Sequence, residues 1–192
     1  MGGSKSRQIK NEFMFDGLWI YFLLFSRLAL GLMFTASVSL KLRNLPAFET
    51  AIENFKILPR QFTKPSAYLF LVGEASVVVL MIVDGTLLPT AFLSAIFLLS
   101  LFTIALLLVL WKGIQTSCAC FGSSQRPVSS ADVWRNIGFL VCACIGLLSF
   151  NSLSNTTIKI GLGEAGLLGM MAVVFVILSV YLRDVIELFR FL

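Results

Sequence analysis

The sequence predicts an all-α protein, a polytopic transmembrane helix bundle with about five spans. Of its 192 residues, 58% are hydrophobic and only 13% are charged, whereas soluble domains carry about 25% charged residues. The apolar residues fall into five stretches of about 17 to 25 residues, close to the roughly 20 that a helix needs to cross about 30 Å of hydrocarbon. This pattern disfavours a soluble protein and indicates one helical membrane domain.

The five spans can be assigned in chain order. They are Gly17–Val38, Ala67–Val83, Leu87–Trp111, Trp134–Phe150 and Leu162–Leu182. The first is too long for the apolar core of a cleavable signal peptide, so we predict that it is a retained helix. Trp19, Trp111 and Trp134 lie near predicted helix ends, where amphipathic rings prefer the membrane interface.

A short interfacial helix is predicted between the first two spans. Pro46 suits the first turn of a helix, and Pro59 ends it. Phe48, Ile52 and Phe55 recur at helical spacing between them. This apolar face either lies on the membrane surface or packs over the mouth of the bundle.

Two charged residues fall inside the spans, Arg27 in the first and Glu74 in the second. An isolated charge there costs about 2.5–3.5 kcal/mol on insertion scales. Counted from the joined ends of the two spans at about 1.5 Å per residue, their depths are roughly 17 Å and 11 Å, a difference that an arginine side chain bridges. We therefore predict an Arg27–Glu74 ion pair, which acts either as a structural clamp or as part of a proton or quinone site.

A polar loop at residues 115–131 contains the motif most indicative of chemistry, Cys118-Ala119-Cys120. The chain has four cysteines and no histidine, so two thiolates alone do not complete a tetrahedral metal site, and we predict no metal. A disulfide across one intervening residue closes a small, strained ring that is easily reduced. Thiol–disulfide exchange by Cys118 and Cys120 is therefore the best chemical fit.

Neighbouring residues support this interpretation. Phe121 and Gly122 follow the motif, and glycine permits a sharp turn. Lys112, Arg126 and Arg135 flank the loop and favour the thiolate form.

A second pair, Cys142 and Cys144, repeats the spacing inside the fourth span. Residues two apart on a helix point about 200° apart, so these two cannot form a disulfide with each other. We predict that they are small packing residues between helices. An electron relay from Cys120 to Cys142 is the weaker alternative.

The net charge of +5 comes from residues in loops and flanks, without the basic stripe of a nucleic-acid-binding surface, so we predict the lipid bilayer and no nucleic acid as partner. The charges also bear on orientation. Lys5, Arg7, Lys10 and Lys159 lie on the N-terminal side of the membrane, and ten other Lys or Arg residues lie on the side of the cysteine loop. The positive-inside tendency would place that loop in the cytoplasm.

Several of these features, in this order, resemble the MauE group of the DoxX-like membrane proteins. The matching pieces are Arg27, Lys41-Leu42, the segment from Phe48 to Phe55-Lys-Ile-Leu-Pro59, Glu74, Cys118-Ala-Cys120-Phe-Gly122 and Arg135-Asn136. The similarity covers about residues 17–150, and the C-x-C-F-G loop is its most specific part. Where the family usually has a glycine-rich approach to the lysine, this chain has Ser37-Val-Ser-Leu.

The resemblance implies a bacterial inner-membrane protein in the redox maturation of exported proteins. Cys118 and Cys120 would face the periplasm, against the charge count, and exchange a disulfide with a thioredoxin-like partner. The supporting residues would be Phe121, Gly122, Arg27, Glu74, Lys41 and Arg135. No cofactor is certain, and a quinone is a candidate electron acceptor. The domains would be a polar tail at 1–16, a four-helix core at 17–150, and a linker with the fifth span at 151–192.

Two other functions stay open from the residues alone. The chain could be a non-catalytic subunit of a larger membrane complex, with a docking face on the fifth span. That span begins with the small residues Gly161, Gly163, Ala165, Gly166 and Gly169, which allow close helix approach. A solute or metal carrier fits least, because few polar groups lie within the spans.

Overall fold

The computed structural model describes residues 3–55, 59–83, 85–114, 128–153 and 161–181, with side chains from residue 17 onward except that of Arg60. Six helices are described, α1 Gly3–Arg43, α2 Leu45–Asn54, α3 Arg60–Ile82, α4 Leu88–Trp111, α5 Ser130–Ser152 and α6 Leu162–Val180. All except α2 are long and apolar enough to cross a membrane, and these described ranges contain no strand. The prediction of an all-α polytopic bundle is confirmed, and the chain is a multi-pass membrane protein.

Helix α1 lies at the centre of the bundle. It packs against α3, α5 and α6, while α4 packs against α3 and α5. The largest fully buried apolar side chains come from the helices around this centre, Leu30 and Phe34 from α1, Phe92 from α4 and Phe139 from α5. The four helices α1, α3, α4 and α5 therefore form the core, and α6 lies against α1 on its outside.

The contact between α4 and α5 depends on a glycine. A Cβ atom at Gly146 would lie 2.3 Å from Cε1 of Phe92, far inside van der Waals contact. The ring of Phe92 thus packs directly on the backbone of α5, and only glycine allows this approach.

The connections between helices define two ends of the bundle. At one end lie the end of α1, all of α2, the start of α3, the end of α4 and the start of α5, because successive spans run in opposite directions. We call this the loop end, since α4 ends and α5 begins there. The end of α3, the start of α4, the end of α5 and the start of α6 lie at the opposite end.

Four helix boundaries differ from the predicted spans by more than two residues. Helix α1 begins at Gly3 rather than Gly17 and continues past Val38 to Arg43. Helix α3 begins at Arg60 rather than Ala67, and Pro65 lies within its second turn, where a missing N–H breaks a single hydrogen bond. Helix α5 begins at Ser130 rather than Trp134 because Ser129 and Asp132 form a capping box.

Helix α2 confirms the predicted short helix and shows where its apolar face goes. The side-chain oxygen of Asn44 accepts a hydrogen bond from the Ala47 N–H at 3.4 Å and so caps its start. Phe48, Ala51 and the following Phe55 are buried against the rest of the protein. Of the two predicted arrangements, α2 therefore packs over the mouth of the bundle.

Candidate functional site

A buried ion pair joins α1 to α3 at the loop end. Lys41 donates to Oε1 of Glu74, and Ser37 donates from its hydroxyl to Oε2 of the same carboxylate at 3.2 Å. Ser37 and Lys41 are four residues apart, so they project from the same face of α1. Only 2% of Lys41 and 8% of Glu74 are exposed, and the two charges are therefore shielded from solvent.

Aromatic rings complete the enclosure of the lysine. Its Nζ lies 4.6 Å from the ring centroid of Phe48 in α2 and 5.9 Å from that of Phe102 in α4. Both distances are within the range of a cation–π attraction. Lys41 therefore links four helices, because its ammonium group contacts side chains of α2, α3 and α4 from its place on α1.

Beside the carboxylate lies a small cavity inside the four-helix core. Its lining residues are Met33, Phe34, Ser37, Phe70, Glu74, Leu98, Leu99, Phe102, Arg135 and Asn136. Its volume is ≈ 20 Å³, and about 10–15 Å³ measured in this way holds one water molecule. The four polar side chains of the lining could satisfy the hydrogen bonds of that water.

The α5 side of the cavity is itself held by polar contacts. Arg135, 9% exposed, donates from Nη2 to Oδ1 of Asp132 at 3.3 Å. Asp132 in turn accepts from the N–H of Ser129 at 2.9 Å. Asn136 donates to the hydroxyl of Thr103 in α4 at 3.2 Å. A series of polar groups thus runs from the start of α5 to the cavity that Glu74 lines.

The predicted Arg27–Glu74 ion pair is wrong. Arg27 donates from Nε to the carbonyl of Met81 at 2.7 Å and from Nη2 to that of Ile82 at 3.0 Å. These are the last carbonyls of α3, which have no partner within their own helix. The prediction failed because it took the joined ends of the two spans to be level. In the structure Lys41, in the last turn of α1, lies beside Glu74, fourteen residues beyond the start of α3, so that Arg27 lies beside the other end of α3.

The predicted site residues divide between described and undescribed parts of the chain. Cys118, Cys120, Phe121 and Gly122 lie outside the described residues. Glu74 and Arg135 line the same cavity, and Lys41 pairs with Glu74, while Arg27 lies at the other end of α3.

Of the second cysteine pair, Cys142 is a small packing residue between helices, as predicted, whereas Cys144 is not. Cys142 is 7% exposed and packs with Ala29 of α1 and Ala172 of α6. Cys144 is exposed on another face of the helix. Cys142 lies twelve residues beyond Ser130, about 18 Å along α5 at 1.5 Å per residue, which is a long separation for an electron relay from the loop.

Comparison with known proteins identifies the family. Residues 20–149 match the family model described as Methylamine utilisation protein MauE, which is more than half of the chain. The chain belongs to the MauE family. The methylamine utilization protein MauE of Paracoccus denitrificans is 34% identical to it over 113 residues, covering 58% of this chain and 60% of that relative. The chain thus spans about three fifths of the length of the curated relative it matches. No solved structure matches significantly.

The MauE resemblance inferred from the residues is therefore confirmed, and the family match ends within α5, before α6. Sequence reasoning missed the Lys41–Glu74 partnership, Ser37 and the Asn136–Thr103 contact. One signal was available, because Ser129-x-x-Asp132 has the spacing of a capping box and would have placed the start of α5 correctly.

Proposed function

We propose that this MauE-family membrane protein is a thiol–disulfide component in the maturation of exported proteins. In this proposal the Cys118–Cys120 disulfide exchanges with a thioredoxin-like partner. Because the chain belongs to the MauE family, the partner should first be sought among the proteins of methylamine utilisation, in which we propose a supporting role for this chain. The cysteines are the working groups, and the helical bundle holds their loop.

The exchange balances without a bound cofactor. A thiolate of the partner attacks one sulfur of the Cys118–Cys120 disulfide, forms a mixed disulfide and releases the other loop sulfur as a thiolate. The partner's second thiol then attacks the mixed disulfide. The partner ends as a disulfide and the loop as two thiols, so two electrons and two protons have moved from the partner to the loop. Regeneration of the loop needs a further oxidant, for which a quinone is our candidate.

One observation carries this proposal. The segment that contains both cysteines connects α4 to α5, and these two helices supply Phe102, Arg135 and Asn136 to the buried polar cavity beside Glu74. Cys118 is four positions beyond Ile114, so the chain allows at most about 14 Å between their Cα atoms. The sequence thus links the cysteines to α4 at the end of the bundle where its buried charges lie.

Trapping of mixed disulfides tests the proposal. Cys118→Ser and Cys120→Ser variants are expressed in cells, thiol exchange is quenched with acid, and disulfide-linked species are identified by mass spectrometry. In these variants the remaining loop thiol attacks the disulfide of an oxidised partner, which is the same exchange in reverse, and it should hold a thioredoxin-like protein covalently because no second loop thiol is present to release it. The double variant Cys142→Ala/Cys144→Ala is the matched control and should leave that capture unchanged. Normal maturation of the captured partner's substrates in Cys118→Ser/Cys120→Ser cells would refute the proposal.

We further propose that the protein lies in the bacterial inner membrane with the cysteine loop in the periplasm, an oxidising compartment that suits a working disulfide. A membrane-impermeant maleimide applied to intact spheroplasts should label the loop thiols after reduction. Labelling only after lysis would place the loop in the cytoplasm, as the distribution of Lys and Arg suggests.

A second candidate function, a non-catalytic subunit of a larger complex, has one observation in its favour. Gly163 and Gly166 on α6 have no atom within 4 Å of an added Cβ, so this stretch of α6 is open to a further helix. The buried face of α6, with Ala172 and Val176, is occupied by α1 and the core. Substitution of both glycines by isoleucine should dissociate such a complex without changing thiol exchange.

A further inference from the structure

A groove runs along the outside of the bundle between α1 and α3, away from the polar cavity of the core. Its volume is ≈ 330 Å³, and it is lined by residues of these two helices alone. Gly31 contributes no side chain to it, and a Cβ added there would lie 4.0 Å from that of Met81. Leu32 and Ile82, which also line the groove, are exposed. The groove is therefore open to the surroundings of the bundle.

The groove has a charged end. Of the described residues that line it, Arg27 is the only charged one, and it is half-buried. Its guanidinium group donates to the carbonyls of Met81 and Ile82 and so lies at the level where α3 ends. The apolar span Gln61–Ile82 has 22 residues, about 33 Å at 1.5 Å per residue, which matches the roughly 30 Å thickness of the hydrocarbon. Arg27 is thereby placed near the lipid headgroups at the opposite end of the bundle.

From this charged end the groove leads towards the middle of the membrane. Gly31 and Thr35 lie four and eight residues beyond Arg27 on α1, about 6 Å and 12 Å deeper. Val78 lines the groove one turn before the end of α3. The Thr35 hydroxyl donates to the carbonyl of Gly31 at 2.7 Å, so this polar group is satisfied within the helix. A cation near the membrane surface with an apolar channel leading inward matches the shape of a phospholipid, whose acyl chain extends from its phosphate into the bilayer.

The contacts of Arg27 hold its guanidinium group in place at this end. The carbonyls of α3 are neutral groups, and the whole end of a helix carries only about half an elementary charge. A guanidinium group has five N–H donors in a fixed fork, so a phosphate can join the contacts that Arg27 already makes. Arginine and phosphate form paired, charge-assisted hydrogen bonds. Basic pockets between transmembrane helices are typical binding sites of anionic headgroups.

We propose that an anionic phospholipid binds here, with its phosphate at the guanidinium group of Arg27 and one acyl chain in the α1–α3 groove. The lipid covers the apolar groove and supplies a negative charge where the protein places a positive one. A zwitterionic phospholipid has the same chains and phosphate but also carries a cationic group, which opposes binding beside an arginine. The net charge of the headgroup therefore decides the preference. This site is independent of the proposed thiol exchange.

Photocross-linking locates the lipid. Purified full-length protein is reconstituted in phosphatidylcholine nanodiscs that contain a small fraction of phosphatidylglycerol with a diazirine on one acyl chain. In a parallel sample, phosphatidylcholine carries the same diazirine chain. After illumination, labelled peptides are identified by mass spectrometry. The phosphatidylglycerol probe should label peptides with residues 24–35 and 78–82 about tenfold more than the phosphatidylcholine probe does, as expected for a charge-assisted hydrogen bond.

Competition separates a binding site from general contact with the bilayer. Replacing part of the phosphatidylcholine by unlabelled phosphatidylglycerol should displace the probe from the groove peptides and leave the labelling of other exposed helix faces unchanged. Labelling that is spread evenly over the exposed faces of the spans, or that does not respond to competition, would overturn the proposal.

The charge is tested by Arg27→Gln, which retains an amide donor for the carbonyls of α3. This variant should lower the labelling of the groove peptides by phosphatidylglycerol about tenfold and abolish the preference over phosphatidylcholine. Lys112→Gln is the matched control, because it removes an exposed cation at the loop end and should leave the labelling of the groove unchanged. An unaltered preference in folded Arg27→Gln would refute the phosphate contact.

The groove itself is tested by Gly31→Leu, which leaves Arg27 in place and keeps the proposal testable if Arg27→Gln does not fold. The leucine side chain occupies the groove and should reduce the labelling severalfold. Gly138→Leu is the matched control on α5, where nothing lies within 4 Å of an added Cβ, and should retain the parent pattern. Equal labelling of the two leucine variants would contradict an acyl chain in this groove.

Asp84 is a competing anion from the chain itself. It follows Ile82 by two residues and lies outside the described residues. Asp84→Asn removes this competitor and should preserve or increase the preference for phosphatidylglycerol that the parent shows. A preference that appears only in Asp84→Asn would mean that the carboxylate takes the place of the lipid phosphate, and the proposal would then be wrong.

Discussion

Lys41 of α1 and Glu74 of α3 form a buried ion pair at the loop end, with Ser37 as a second donor to the carboxylate. The pair lies where α1, α3 and α2 meet, because the ammonium group also faces the ring of Phe48. It therefore fixes both the register between α1 and α3 and the position of α2. Its contribution to stability can be measured by removing one member of the pair or both.

Removing one member of the pair should destabilise the protein far more than removing both. Lys41→Met or Glu74→Gln leaves a buried polar group without its partner, which costs about 3–5 kcal/mol for a buried ion pair. The double variant leaves no uncompensated charge and should recover most of that loss. The free energy of unfolding is measured in mixed micelles for the parent, the two single variants and the double variant. These four values give the coupling free energy between Lys41 and Glu74. Additive losses would show that the pair is not a stabilising unit.

Arg27 should act as a cap for α3 and not as a partner of Glu74. Arg27→Leu removes the donors to the carbonyls of Met81 and Ile82, and a hydrogen bond from a charged group contributes about 1.5–3 kcal/mol. Because Glu74 has its own partner, Arg27→Leu/Glu74→Leu should be less stable than Arg27→Leu alone. Thermal unfolding in detergent, read out by precipitation, compares the two. Rescue in the double variant would favour the ion pair instead.

The fold was largely predictable from the sequence, whereas the pairing of its charges was not. Span positions follow from local hydrophobicity, which is why the start of α4 was predicted to within one residue. The partner of Glu74 depends on how far α1 continues past its apolar part. Ser39 and Lys41 look like a loop by composition, yet they lie within the helix because Lys41 is neutralised by a residue 33 positions away. Such tertiary compensation is invisible to a pattern of hydropathy.

The residues of the candidate site were likewise only partly predictable from the sequence. Glu74 was selected as a charge within a span, Arg135 as a charge beside the cysteine loop and Lys41 by resemblance to the family. Glu74 and Arg135 line one cavity, and Lys41 pairs with Glu74. Ser37 and Thr103 carried no signal, because isolated hydroxyl residues are common in membrane helices, where they bond to their own backbone. Thr103 does so with the carbonyl of Leu99 at 2.7 Å, and its contact with Asn136 adds a second role.

Gly146 should tolerate a side chain only if the side chain of Phe92 is replaced by a smaller one. Gly146→Ala places its Cβ within 2.3 Å of the ring, and forced overpacking costs about 1–3 kcal/mol. Phe92→Leu shortens the opposing side chain, so the Gly146→Ala/Phe92→Leu variant should be more stable than the single glycine variant. Gly138→Ala is the matched control on the same helix, since nothing lies within 4 Å of its added Cβ. Equal thermal stability of Gly146→Ala and Gly138→Ala would contradict the close approach of α4 and α5.

The two cysteines of α5 should differ in their reactivity towards a lipid-soluble thiol reagent. Cys144 is exposed on the bundle surface, whereas Cys142 is buried between α1 and α6, and burial denies the reagent access to the sulfur. In a Cys118→Ser/Cys120→Ser background reconstituted in nanodiscs, N-phenylmaleimide should modify Cys144 first and Cys142 only on unfolding. Cys144→Ala, which retains Cys142, provides the control and should stay unlabelled until detergent denatures the bundle. Equally rapid modification of both thiols would mean that α6 does not cover this part of α5. That result would contradict the packing of Ala172 beside Cys142.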